Sequence, residues 1–257
     1  MTIGSLLSGT SSSLLGSSGS STTSKASTSS TASTAASTVS PFLAQAEQRI
    51  QSDAAVTTAQ ISKFGLLQSA LSGGQVAAKA MTTLTSATKP ADVTTALGNF
   101  FNTFNASVGA ANTAATATSS SSQSARATLR DLKSALSSDP ATVAAMKKLG
   151  LTLQTNGSLV QDAKKFASSL ASDPSGTLAA MAKIGGKVDS VTSRELGTGG
   201  TVAAALATLN AKSTSLTSQQ TALQALNQAM TASAAASSTS TQSSTGVAAY
   251  QSTMNGF

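Results

Sequence analysis

The chain of 257 residues contains no cysteine, no histidine and no tryptophan, and it has a single tyrosine. Without cysteine it can form neither disulfide bonds nor thiolate metal sites, and without histidine it has no imidazole base or ligand. Charged residues make up 10% of the chain, against about 25% in an ordinary globular domain. These absences remove most of the side chains used in catalysis. The lack of cysteine also suits export through a narrow channel, because a cross-linked chain would block it.

The acidic residues are spread singly along the chain. General acid–base catalysis and cation binding need carboxylates that converge, whereas most of these occupy positions where helix caps belong. Two short segments match only part of a catalytic or ligand-binding motif. SATK at 86–89 fits the Ser-x-x-Lys pattern of serine acylases, but the other elements of that motif are absent. GTGGT at 197–201 could bind phosphate before a helix, but it has no preceding strand and no following lysine as in a P-loop. The sequence therefore predicts a protein that is not an enzyme and that holds no cofactor or metal.

The net charge is +7 and the isoelectric point about 9.9. The basic residues are dispersed, the densest pairs being Lys147 with Lys148 and Lys164 with Lys165. Aromatic residues that could stack on bases make up only 3% of the chain, so no nucleic-acid binding is expected. No run of 18 apolar residues and no cleavable secretory signal is present, which predicts no membrane insertion.

The first 40 residues are mostly serine, threonine, alanine and glycine. Such a segment buries too little apolar surface to offset its ordering entropy, which predicts a disordered tail over 1–40 that serves export or docking. Two leucine pairs interrupt it, Leu6 with Leu7 and Leu14 with Leu15. They are either a docking element or incidental leucines in a tail.

Apolar residues recur every seven positions near both ends of the chain. The front stripe contains Ile50, Thr57, Phe64 and Leu71, with Ala54 and Ile61 in a second position. The rear stripe holds five successive positions. A seven-residue repeat keeps one narrow face apolar, so the two helices are expected to pair. The predicted interface, either within the stalk or between copies, is Ile50, Ile61, Phe64, Leu71, Val202, Leu209, Leu216, Leu223 and Met230. The simpler alternative is that these residues are ordinary core.

Between the two stripes the pattern predicts shorter helices and one hairpin. Helices are expected over about 42–87 (loosened at Gly73 and Gly74), 92–108, 125–136, 141–148, 162–172, 177–195 and 201–236. A loop is predicted over 116–124, a glycine turn over 197–200, and a β-hairpin near 151–160 whose turn is Asn156-Gly157.

These elements predict a mainly α fold in which the N- and C-terminal helices pair as a coiled-coil-like stalk. The expected division is a stalk from 41–89 and 201–236, a helical head from 90–200 containing the hairpin, and a flexible tail from 237–257 with a short amphipathic end.

Four segments carry a resemblance to a known family. AQISKFGLLQSALSG at 59–73, FFNTFNASV at 100–108 and ATLRDLKSAL at 127–136 resemble helices of the flagellar hook-associated protein 2 family, which caps the flagellar filament. The segment LGLTLQTNGSLVQDAKKFASSLASDP at 149–174 is the most specific match, because hairpin, helix cap and helix breaker keep their spacing. The matching positions there are Gly150, Asn156, Gly157, Leu159, Asp162, Lys165, Leu170, Asp173 and Pro174.

The resemblance implies a secreted structural protein of the bacterial flagellum that acts at the filament or hook tip through helical self-association. It implies partners that are other copies of the chain, flagellin or other hook-associated proteins, and an export chaperone of the type III system. The family's β-rich insertion, which forms its plate domains, is replaced by about a dozen residues near 82–93, so this is expected to be a short, plateless member. The alternative is another type III-exported axial protein, a secreted effector or an adhesin-like paralogue.

Overall fold

A computed structural model describes residues 41–116 and 120–254, with side chains described for 41–116 and 121–236. Within these ranges the chain forms seven α-helices and one antiparallel β-hairpin, which confirms the predicted mainly α fold. The predicted tail over 1–40 lies outside the described residues. The elements are α1 (Pro41–Thr82), α2 (Pro90–Ala115), α3 (Ser120–Ser137), α4 (Pro140–Lys148), β1 (Leu151–Leu153), β2 (Leu159–Gln161), α5 (Ala163–Ser172), α6 (Pro174–Leu196) and α7 (Thr201–Met254).

All four prolines of the chain stand at the first residue of a helix, namely α1, α2, α4 and α6. Proline suits this position because its φ is already helical and its missing N–H would have no helical partner there. Asp139 and Asp173, which precede two of these prolines, accept hydrogen bonds from backbone N–H groups of the first turn. Local sequence thus favours the start of each of these helices at its proline.

The core is built around α1, which packs against α2, α6 and α7. The predicted stripe of α2 is confirmed, since its five apolar residues from Val93 to Val108 are all buried. Within it, the rings of Phe100 and Phe104 lie 5.9 Å apart between centroids, a separation typical of favourable aromatic pairs. These rings share one apolar cluster with Phe64 and Leu67 of α1.

The predicted loosening at Gly73 and Gly74 is wrong, because α1 continues through both glycines and ends at Thr82. A Cβ atom on Gly74 would lie 3.1 Å from the Ser107 hydroxyl of α2. That hydroxyl donates a hydrogen bond of 2.9 Å to the Ala70 carbonyl of α1. The glycine therefore permits close contact between two helices and does not interrupt one.

The predicted loop over 116–124 is too long, because α3 already begins at Ser120. Ser121 is buried and donates a hydrogen bond of 2.9 Å to Oε1 of Gln60 in α1. A serine run reads as a loop because hydroxyls compete with helical hydrogen bonds, but here a partner in another helix satisfies the hydroxyl.

Helix α7 extends to Met254, beyond the predicted end near 236, so the serine- and threonine-rich stretch after 236 is helical. Alanine, the strongest helix former, makes up four of the six residues just before this stretch, at 231–236. In the preceding turns, threonine hydroxyls bond the carbonyl four residues back, as at Thr208, Thr214 and Thr217. This arrangement lets a polar helix keep its hydroxyls satisfied. Helix α6 also begins earlier than predicted, at Pro174, because Asp173 caps it.

Candidate functional site

Helices α1 and α7 pack along each other in opposite directions. Leu196, at the end of α6, lines a shallow groove with residues 65–72 of α1, so α7 starts near the middle of that helix. Farther along α7, a cavity of about 60 Å³ lies between the two helices. It is lined by Leu43 and Glu47 of α1 and by Gln220, Leu223, Gln224 and Asn227 of α7. The predicted pairing of the front and rear helices is therefore present.

The predicted interface residues divide by exposure. Ile50, Ile61 and Leu223 are partly buried, and Met230 is 42% exposed. The remaining five are buried inside the chain's own core: Phe64, Leu71, Val202, Leu209 and Leu216. Most of the two stripes is thus used within one chain, and only the far end of the rear stripe is open. A role for these residues between copies stays a prediction.

The second inward-facing heptad position of α7 is mostly polar, so it does not form an apolar repeat in the sequence. Ser213, Gln220 and Asn227 follow Leu206 at seven-residue intervals and are partly buried. On the opposite helix, no side chain from 41–56 is fully buried. We call residues 41–56 of α1 with 216–236 of α7 the two-helix segment. Its apolar contact is thin, because polar groups contribute little hydrophobic stabilisation.

Four large apolar side chains are exposed on the two-helix segment. Phe42 is 81% exposed, Val56 51%, Leu226 50% and Met230 42%. The α7 half of this segment carries no charged residue at all. Exposed apolar side chains can supply the apolar area of a protein–protein contact, and the absence of charge in the α7 half allows burial without stranding an ion. We call these four residues the candidate assembly surface.

The hairpin turns at Asn156 and Gly157, as predicted, and packs against α3. Gly157 has φ of +90°, which favours glycine. The side-chain oxygen of Asn156 accepts hydrogen bonds from the backbone N–H and the hydroxyl of Ser158, at 3.0 and 2.8 Å. Lys133 of α3 donates a hydrogen bond of 2.8 Å to the Thr155 carbonyl. The turn is thereby held against α3.

Asn105 of α2 attaches the hairpin from its other side. Its Nδ2 donates to the Leu159 carbonyl at 3.0 Å, and its Oδ1 accepts from the Leu159 N–H at 2.7 Å. The amide thus makes the two bonds that a neighbouring strand would make with β2. Sequence reasoning missed this residue, although a polar residue next to the phenylalanines of α2 was a visible signal.

Several carboxylates act as helix caps, as the sequence predicts. Hydrogen bonds from the Ala141 N–H and the Thr142 hydroxyl, with the nearby Lys183, lower the pKa of Asp139. The Lys148 ammonium and the Gly176 N–H lower the pKa of Asp173. Both groups are exposed at the ends of helices, where an anion stabilises the free N–H groups.

Glu195, the penultimate residue of α6, is the exception, because it is only 1% exposed. The Thr128 hydroxyl of α3 donates a hydrogen bond of 2.8 Å to its Oε2. Arg194 lies 2.7 Å from Oδ2 of Asp131 and 3.8 Å from Oε1 of Glu195. Burial raises the pKa of Glu195, and the negative charge of Asp131 adds to this, although the Thr128 hydrogen bond opposes it.

The described residues hold no group of three or more side chains that could bind a metal ion. Among the same residues, no helix is both long and apolar enough to cross a membrane. The described part of the chain contains a paired helical segment with exposed apolar residues, together with shorter helices and one hairpin. This arrangement defines a mainly α protein.

The comparisons with known proteins identify the family. The family model described as "Flagellar hook-associated protein 2 C-terminus" matches residues 73–241, which is more than half of the chain. The chain therefore belongs to the flagellar hook-associated protein 2 family, a family of structural flagellar proteins. No curated protein and no solved structure matched it.

Proposed function

We propose that this protein is a structural assembly component of the bacterial flagellum that acts in a cap-like manner at the filament or hook tip. It leaves the cell through the flagellar type III export system and associates through its two-helix segment. The observation that carries this proposal is the candidate assembly surface, which lies in a chain of this family.

The chemistry of that surface favours helical partners. Its four residues are large and apolar, and its α7 half is uncharged. Helices from other copies, flagellin or other hook-associated proteins could cover it and bury apolar area worth about 25 cal/mol per Å². An export chaperone could cover the same surface before export. The described helices carry the apolar side chains that would make these contacts.

The short connection between α1 and α2 supports a plateless cap. Only residues 83–89 join the two helices, at the place where the family resemblance implies that a β-rich insertion normally stands. We therefore propose that residues 41–89 and 201–236 form a stalk and that residues 90–200 form a head. No plate would lie above the flagellin subunits.

The association step can be tested with two matched double variants. We expect Leu226→Ser with Met230→Ser to lower the mass measured by light scattering after size-exclusion chromatography, because these residues leave apolar area for a partner. The control is Leu66→Ser with Val76→Ser, which changes two helical residues that are 65% and 68% exposed but lie outside the two-helix segment. Equal masses for the wild type and the first double variant would contradict association through this surface.

The location can be tested by immunogold labelling of flagella and by a deletion strain. Labelling restricted to the tip, with altered filament length or motility on deletion, is the expected result. Labelling along the shaft or in host material would favour the alternative of another exported axial protein, an effector or an adhesin-like paralogue.

A further inference from the structure

Glu195 lies where three helices meet. Its own helix, α6, ends one residue later, and residues 195–201 form a joint that leads into α7. We propose that the Glu195 carboxyl is a proton-dependent switch at this joint. With its proton bound it holds the end of α6, on which α7 starts, against α3, and after losing that proton it weakens this contact.

The joint is tightly packed, which limits how the groups around the Glu195 carboxyl can reorient towards a negative charge. A Cβ atom on Gly200 would collide with the carbonyl oxygens of Arg194 and Glu195, so the first turn of α7 sits directly on the end of α6. Gly199 adopts a φ of +81°, which glycine tolerates. Thr128, which holds the carboxyl from α3, is itself fully buried. Water therefore has little access to solvate an ionised Glu195, which makes the ionised form costly.

The cation nearest to Glu195 is Arg194, 3.8 Å from its Oε1, and Glu195 shares this cation with Asp131. From α3 it faces Asp131, and from α6 it faces Arg194, whose shorter contact is to Asp131. Helix α7 contributes the Thr201 hydroxyl, and its first charged residue is Lys212, about three turns along. Helix α1 also packs on α6, but its Lys79 lies against Asp189.

The proton on Glu195 therefore links this residue to Asp131 of α3. Protonated Glu195 can donate a hydrogen bond to the Asp131 carboxylate, which Arg194 also contacts, and can still accept one from Thr128. Loss of the proton to solvent removes that donor and places two carboxylates side by side. Burial and Asp131 raise the pKa of Glu195 in the folded chain. A raised folded pKa gives stability that is complete below the unfolded pKa and is lost as the pH rises through the folded pKa.

The composition makes this effect measurable. Histidine and cysteine, the side chains that ordinarily titrate near neutral pH, are both absent. Apart from the terminal amino group, a loss of stability as the pH rises above the range in which ordinary carboxyl groups titrate therefore points to Glu195.

The direct test is carbon NMR on the full chain with selectively labelled glutamate. The chain has only two glutamates, Glu47 and Glu195, so two carboxyl signals are expected, and Glu47→Gln assigns them. We expect the Glu195 signal to titrate at higher pH in the folded protein than in concentrated urea. Equal midpoints in the two conditions would overturn the proposal.

A second measurement links the proton to the joint. The urea midpoint of the wild type should be higher near about pH 5.5 than near about pH 8. Glu195→Gln, which keeps the shape without the charge, should lose most of this difference, while Glu47→Gln should retain it. An unchanged difference in Glu195→Gln would refute the switch. If that variant does not fold, the titration of the wild-type signal decides.

Discussion

At the scale of single residues, the capping carboxylates could be predicted and the long-range polar contacts could not. Asp139, Asp162 and Asp173 each bond a backbone N–H within three residues, so local sequence is sufficient. Asn105 bonds a strand 54 residues away, and Glu195 bonds a threonine 67 residues away. No spacing rule connects such partners, because the fold brings them together.

Asn105→Ala should detach the hairpin from α2. Both hydrogen bonds to Leu159 are lost and a partly buried N–H and carbonyl remain without these partners, at a cost of about 1–3 kcal/mol. Urea unfolding followed by circular dichroism measures this. Asn102→Ala, on an exposed face of the same helix, is the control and should leave the midpoint nearly unchanged.

Two of the three capping aspartates, Asp139 and Asp173, should determine how the stability of the protein responds to acid. Their pKa values are lowered in the folded chain, so they stabilise it above the unfolded pKa, and this stability is lost as the pH falls through the folded pKa. Asp139→Asn with Asp173→Asn keeps a capping side chain but removes the titration. We expect this variant to lose less thermal stability than the wild type on acidification below about pH 4. An equal loss would contradict the assignment.

At the scale of elements, glycine was the residue type most open to misreading. Gly74 in α1 and Gly185 in α6 both lie inside continuous helices, at places where a second helix approaches. A sequence pattern marks glycine as a helix breaker, and only the packing shows that the missing side chain is needed. Most helices could be predicted, because proline or aspartate marks the starts of α1, α2, α4, α5 and α6, although α6 begins three residues before the predicted position.

Neighbouring glycines in α6 give a matched test of this packing. A Cβ on Gly185 would lie 2.5 Å from the Ala78 carbonyl oxygen of α1, whereas a Cβ on Gly186 meets nothing within 4 Å. Gly185→Ala should destabilise the protein by about 1–3 kcal/mol, and Gly186→Ala should stabilise it by about 0.5–1 kcal/mol. Thermal unfolding of both variants checks the contrast, and similar effects at the two sites would refute it.

Two leucines of α7, one inside the rear stripe and one outside it, have different roles. Leu216 is 6% exposed and Leu226 is 50% exposed. Leu216→Ala should cost about 2–4 kcal/mol in the free energy of unfolding, whereas Leu226→Ala should change it by less than about 0.5 kcal/mol. Unfolding at low protein concentration, where association is weak, distinguishes the two. A large loss in Leu226→Ala would mean that this residue belongs to the core.

At the scale of the whole molecule, periodicity predicted that the ends of the chain pair, and motif resemblance predicted the family. The family match over residues 73–241 confirms the second point. The extent of the helical pairing could not be predicted in the same way, because the polar positions Ser213, Gln220 and Asn227 interrupt the apolar pattern but still face inward. Nor could composition show that most of the stripe is covered within one chain.

The connection over residues 83–89 has a consequence for how such proteins diverge. It is flanked by buried residues on both sides, Met81 in α1 and Val93 in α2, which anchor the two helices, and within it Leu84 packs partly buried against the core. Insertions are tolerated best at surface connections of this kind. A gene can therefore gain or lose an entire accessory domain at this point by a single local event, without any compensating substitution in the helices.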